Sequence, residues 1–109
     1  MSNENLNQVM DINPMIDYQK DAVVSRTLIK IKTGSITMFA FDKDQALSEH
    51  TAPFDALVHV IEGKVEVTIN GKSNSVQEGQ LIIMPANVPH ALYASEKFKM
   101  ILTMIKDVN

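Results

Sequence analysis

The chain has 109 residues, 13 acidic against 10 basic side chains, a net charge of −3 and no cysteine. That length suits one domain with one core, and singly scattered lysines without a clustered basic surface exclude nucleic acid as the expected partner. The missing cysteines exclude disulfides and thiolate metal sites and fit a cytoplasmic setting, and no apolar run reaches the length needed to span a membrane.

Residues 1–21 are rich in Asn, Gln and Asp and read as a polar arm in front of a domain at 22–109. The first ten residues, MSNENLNQVM, lack the basic-then-apolar order of a secretory signal. Leu6, Val9 and Met10 share one face of a short helical turn, Pro14 breaks any helix running through it, and a loose, locally docked tail is the expectation.

From Val23 the pattern changes. Val23 to Lys32 is β-branched and partly alternating, as a strand requires. Thr33-Gly34-Ser35 marks a turn before a second strand, Ile36 to Phe41. After the polar stretch Asp42–Gln45 comes a short extended piece, Leu47 to Thr51, carrying His50. Ala56 to Ile61 is an apolar strand closed by Glu62-Gly63. Lys64 to Ile69 alternates cleanly, with Val65, Val67 and Ile69 on one face. Asn70-Gly71 is a hairpin signal, since both central positions of a type I′ turn need positive φ. Lys72 to Val76 returns as a polar, edge-like strand, and Glu78-Gly79 turns again. Leu81 to Met84 ends at Pro85. His90 to Ala94 and Phe98 to Lys106 complete the chain. Short strands at even spacing with Gly, Pro and Asn turns, and no sustained helical period, predict an all-β sandwich or barrel.

Three strands, 36–41, 56–61 and 98–105, are apolar on both faces. A sheet face open to water alternates with polar residues, so these need a second cover. The chain is too short to supply another sheet, and a homodimer is therefore expected.

Two stretches carry the chemistry: HTAPFDALVHVIEG at 50–63 and GQLIIMPANVPH at 79–90. Each joins an apolar strand to a Pro-containing loop and a histidine. Over residues 34 to 105 they resemble the cupin family, whose fold is a double-stranded β-helix or jelly-roll barrel. In the first family motif Asp44 stands at the opening glycine, His50 at the first histidine, Ala52 at the second, Ala56 at the glutamate, and Gly63 closes it. In the second, Gly79, Pro85 and His90 match. Asn87 replaces a glycine, a change that left-handed backbone angles tolerate, and Ala94 replaces an asparagine.

The resemblance implies a metal on three histidines and a glutamate, of which only His50 and His90 are present. That pair would hold a divalent transition metal such as Zn, Fe, Mn or Ni only weakly, with water in the other positions. His50, Ala52, Ala56, Val58 and His90 are the candidate ligand pocket. The leading reading is a small-molecule-binding barrel with a reduced His50/His90 site. The alternative is a metal-dependent oxygenase or isomerase, and a third is acid–base catalysis by one histidine.

His59 is placed off this site. With Ala56, Val58 and Val60 pointing inward, Leu57, His59 and Ile61 point to the other face, toward the expected subunit interface. Met38, Met84, Met100 and Met104 are read as core filler or pocket lining. Phe39, Phe41 and Phe98 are assigned to core or interface, Glu49 to the solvated rim, and Asp55 to an exposed turn near the mouth.

Overall fold

A computed structural model describes residues 6–106. Nine strands follow a 3-10 turn at Asn13–Met15: β1 (Val23–Ile31), β2 (Gly34–Phe41), β3 (Ala46–His50), β4 (Asp55–Glu62), β5 (Lys64–Ile69), β6 (Lys72–Gln77), β7 (Leu81–Met84), β8 (His90–Tyr93) and β9 (Phe98–Ile105). They form two antiparallel sheets, one ordered β1-β2-β9-β4-β7 and the other β3-β8-β5-β6. This is the expected jelly-roll barrel. The polar strand β6 is an edge, as its composition requires. The Asn70-Gly71 turn has φ of 50° and 82°, both positive as a type I′ turn demands.

The core lies between the sheets. It takes alternate residues from each strand: Ala56, Val58 and Val60 from β4, Val65 and Val67 from β5, and Phe98 and Met100 from β9. Phe41 stacks on Phe98 with ring centroids 4.6 Å apart. Gly63, at the end of the first motif, has φ of +79°, and a Cβ there would stand 2.3 Å from the Lys97 carbonyl oxygen. Only glycine allows that close approach of β4 to the strand-9 entry.

The outer face of the larger sheet carries a second cluster. Met38, Ala40 and Ile16 are buried there, with Val24, Leu28, Ile61, Ile101, Met15 and Tyr18 packed against them. The cover expected from another subunit is thus supplied in part by the chain's own arm. Burial of Ile16 repays the ordering of an otherwise polar segment, and three groups tie it down, one being Arg26 Nη1, which donates to the Met15 carbonyl oxygen at 3.1 Å. The Lys99 ammonium, itself buried, donates to the Asn13 carbonyl oxygen at 2.7 Å. The Tyr18 hydroxyl donates to Glu62, and burial, followed by that hydrogen bond, pushes the phenol's pKa up. The helical face at Leu6, Val9 and Met10 does not form: residues 6–12 contain no helix, and Leu6 and Val9 are exposed. Seven residues, about two turns of helix, are too few to nucleate one unaided. The arm's residues 1–5 and the terminal 107–109 lie outside the described residues.

The arm leaves part of the outer face bare. Ile31 and Ile105 are 63% and 64% exposed at one end, and Leu81 and Ile83 are 56% and 55% exposed on edge strand β7. Among the described residues no helix is long and apolar enough to cross a membrane.

Candidate functional site

The site forms where β3 meets β8. His50 and His90 are direct register partners across that pair, so two residues 40 apart in sequence become cross-strand neighbours. A shift in pairing between Leu47 and His50 aims His50 toward its partner. Their rings meet edge to face with centroids 4.4 Å apart, and their Nε2 atoms are 3.2 Å apart. His90 is buried and His50 is exposed, so the pair spans the cavity wall from inside to mouth.

The loops behind the pair are fastened to each other. Asn87 N donates to the Ala52 carbonyl oxygen at 2.8 Å. Ala86 N donates to Asp55 Oδ1 at 2.9 Å. Asp55, read from the sequence as an exposed turn residue near the mouth, therefore binds the second motif's loop to the first. Asp44 and Asn87 stand where the family motifs have glycine, and both have positive φ, 70° and 64°. Both side chains tolerate the left-handed region better than other non-glycine residues, so the backbone path survives the substitutions.

Each imidazole is also held from behind. His50 Nδ1 lies 2.7 Å from the Ser48 carbonyl oxygen, and His90 Nδ1 lies 3.1 Å from the Val88 carbonyl oxygen. A carbonyl only accepts, so both rings must carry their proton on Nδ1. Both Nε2 lone pairs then face each other. Three polar contacts need three positive hydrogens, and two neutral imidazoles supply two. The site is short of one positive centre between the two Nε2 atoms. Burial, opposed by the Val88 carbonyl and reinforced by the neighbouring His50, lowers the His90 pKa.

Behind the pair lies a cavity of about 50 Å³ lined by Leu47, His50, Ala52, Ala56, Met84, His90, Leu92, Met100, Leu102 and Met104. Four of the five expected pocket residues are there. Val58 is not: it faces inward but sits deeper on β4, fully enclosed in the core. Met84, Met100 and Met104 line the cavity together with Ala52 and Ala56. Methionine's flexible side chain fills such irregular gaps. The cavity has room for a few water-sized groups. His59 is half-buried on the opposite face of β4, as alternation requires. Glu49 is exposed on the rim.

As a metal site the donor set is partial. One ion at ~2.0–2.1 Å from each nitrogen can span 3.2 Å. Among the described residues, however, no third His, Cys, Asp or Glu joins the pair. Ala52 and Ala56, at the other family positions, have no donor to offer.

Residues 37–106 match the family model for the cupin domain. The chain belongs to the cupin family. A conserved protein of unknown function from Streptococcus pyogenes is 39% identical, with a TM-score of 0.92 over 99% of this chain and 95% of its own. A cupin 2 conserved barrel domain protein from Leptotrichia buccalis is 35% identical, with a TM-score of 0.86 over 89% of this cupin and 47% of its own length. A salicylate 1,2-dioxygenase from Pseudaminobacter salicylatoxidans shares the fold at 16% identity, with a TM-score of 0.71 over 76% of this chain and 26% of its own. No curated protein matches the cupin at a significant level.

Proposed function

We propose that this cupin binds a small ligand through the facing Nε2 atoms of His50 and His90. One observation carries the reading: three contacts at 2.7, 3.1 and 3.2 Å share only two ring protons. The occupant must therefore bring an electron-pair acceptor, either an O–H or N–H group or a metal ion. The cavity of about 50 Å³ limits what enters to a small group, with any larger part of the molecule outside the mouth. If a metal is held, His50 and His90 are its protein ligands, and it would supply Lewis acidity to an oxygen bound beside it. The 3.2 Å separation favours this second reading, which keeps an oxygenase or isomerase activity open. The absence of cysteine supports a cytoplasmic setting.

Histidine nitrogen NMR at about pH 8 tests the proposal. Both rings should be Nδ1-protonated, and Zn(II) or formic acid should move both Nε2 signals together. The His50→Ala, His90→Ala double variant should lose the response while keeping its thermal transition. A proton on either Nε2 in the free protein, or a response from one ring alone, would overturn the shared site. Metal content of protein purified without an affinity tag separates the two kinds of occupant.

We also propose that the bare part of the outer sheet face pairs with a second copy of the chain. The order β1-β2-β9-β4-β7 places β9 in the middle. A two-fold axis along β9 would lay protruding Leu81 and Ile83 of each copy over the other's apolar groove, about 270 Å³, beside Ile29, Ile31 and Ile105. Such an arrangement is self-complementary, as an isologous interface requires. Five strands at ~4.8 Å give a face roughly 24 Å wide, which approaches the roughly 800 Å² per partner of a standard interface once its rim is counted. Wild-type protein should sediment as a dimer at micromolar concentration, and Ile31→Lys and Ile83→Lys should each yield a folded monomer, because an unpaired buried charge is costly. A monomeric wild type, or a dimer indifferent to both variants, overturns it.

A further inference from the structure

The two imidazoles take their protons from carbonyls that are held in different ways. Ser48, the partner of His50 Nδ1, lies on β3 itself, within the same strand as the ring it holds. Val88, the partner of His90 Nδ1, lies in the connection between β7 and β8, outside any strand. The tautomer of a histidine is set by the hydrogen bond its second nitrogen makes. His90 therefore depends on where that connection is held. With the Val88 carbonyl out of reach, its ring proton has another acceptor, the His50 Nε2 atom 3.2 Å from its own. The proton would then sit on His90 Nε2 and donate to His50. One lone pair is gone, the other is engaged, and neither is left for an occupant.

The Val88 carbonyl is positioned by a four-residue turn, Pro85 to Val88, in which Val88 N donates to the Pro85 carbonyl oxygen at 3.4 Å and Asn87 takes a φ of 64°. Among the described residues, three hydrogen bonds fix this connection to other parts of the chain. Asn87 N donates to the Ala52 carbonyl oxygen at 2.8 Å, and Asn70 N donates to the Pro89 carbonyl oxygen at 2.8 Å. Both run backbone to backbone and need no particular side chain. The third, from Ala86 N to Asp55 Oδ1 at 2.9 Å, does. A carboxylate is a stronger acceptor for a backbone N–H than a neutral group is. Asp55 does not line the cavity, although Ala56 beside it does. Its carboxylate thus reaches the site only through the turn.

We propose that Asp55 is a positioning residue: by holding Ala86 N it places the Val88 carbonyl against His90 Nδ1 and keeps the His90 Nε2 lone pair free. The inference rests on the reading of the pair as two free lone pairs that share an occupant, and it says what keeps one of them free. No corresponding side chain is needed for His50, whose carbonyl partner is on its own strand.

Histidine nitrogen NMR of the full chain at about pH 8 tests this, with Zn(II) as the probe ligand. In Asp55→Ala the His90 signals should move toward the Nε2-protonated form, His50 should stay Nδ1-protonated, and Zn(II) affinity should fall by about tenfold. Asp55→Asn keeps an Oδ1 acceptor and should restore most of both. Tyr93→Phe is the control. It removes a carboxylate hydrogen bond on the same strand as His90, that of the Tyr93 hydroxyl to Asp44 at 2.7 Å, and should leave both rings as in wild type. Should the alanine variant not fold, Asp55→Glu, which displaces the carboxylate by one methylene, should show the same His90 shift. A folded Asp55→Ala or Asp55→Glu protein with His90 still wholly Nδ1-protonated overturns the inference. So does an asparagine variant as disturbed as the alanine one, or an equal shift in Tyr93→Phe. If wild type has both rings Nδ1-protonated but neither Zn(II) nor formic acid engages them, the parent reading falls and the tautomer shift still decides the role of Asp55. A proton on His90 Nε2 in free wild type overturns both.

Discussion

The two faces of β4 and β9 both carry large apolar side chains, yet they do opposite work. The inward residues Ala56, Val58, Phe98 and Met100 are sealed in the core and end at the histidine cavity. The outward ones are half-covered: Ile61 and Ile101 lie near the arm, while Ile105 stands in solvent. The same residue types are thus worth different amounts of stability according to what closes over them. An apolar face becomes core only when something packs on it, and on the outer side that something is a short polar arm carrying Ile16.

The largest effect that would sharpen this contrast is on the inner face. Phe98→Ala should lower the unfolding free energy by about 3–5 kcal/mol, as measured by urea denaturation, because it leaves a cavity against the Phe41 ring. Ile105→Ala, seven residues on but outward, should change it by less than about 0.5 kcal/mol in the monomer. Equal losses at the two positions would break the comparison.

Next in size is the arm. Lys99→Met removes the donor to the Asn13 carbonyl and leaves that oxygen without its charged partner, a loss of about 1–3 kcal/mol. Limited proteolysis should then cut near residues 13–18 well before the barrel opens. Unchanged protection there would show that Ile16 and the remaining hydrogen bonds hold the arm without Lys99.

Smaller still is the strain at the hairpin. A Cβ on Gly71 meets nothing within 4 Å, so Gly71→Val acts only through its φ of +82°. About 1–2 kcal/mol is expected by thermal denaturation, the cost of a left-handed L-residue. A larger loss would mean that packing is involved as well.

The smallest effect is that of pH on the inner site. Burial lowers the His90 pKa in the folded protein, so the folded state binds fewer protons than the unfolded one as pH falls below about 6.5. Stability should be full above that pH, fall as the pH drops toward the lowered folded value, and level off below it. The melting temperature of wild type and His90→Asn between pH 8 and 5 checks the sign: the variant should lose that part of the slope. The same protonation fills the Nε2 lone pair, so Zn(II) should be released over the same range.

Much of the barrel was legible in the sequence. Clean alternation at Val65, Val67 and Ile69 and the Asn70-Gly71 turn each have a local cause, so nine strands could be placed before any tertiary contact was considered. Alternation also put His59 on the far face of β4, where the structure has it. The meeting of His50 and His90 was legible only through the cupin resemblance, since 40 residues separate them and no local rule pairs β3 with β8. Three features left no signal. The ties from Ser48 and Val88 are backbone carbonyls, which every residue has. Asp55 looks like any turn aspartate until Ala86 N reaches it. The depth that separates Val58 from the cavity depends on side-chain packing across two sheets.

What the sequence by itself determined is therefore periodic and local: strand positions, turn types, the face each residue takes, and the absence of a third histidine or a carboxylate in the family ligand positions. These follow from backbone sterics and from the period of two, which act between near neighbours. The tertiary structure decided the rest: which Nε2 atoms face each other, how little space lies behind them, and that residues 13–18 cover part of an apolar face. Those outcomes depend on long-range pairing and close packing, where a shift of one residue or one side chain changes the result.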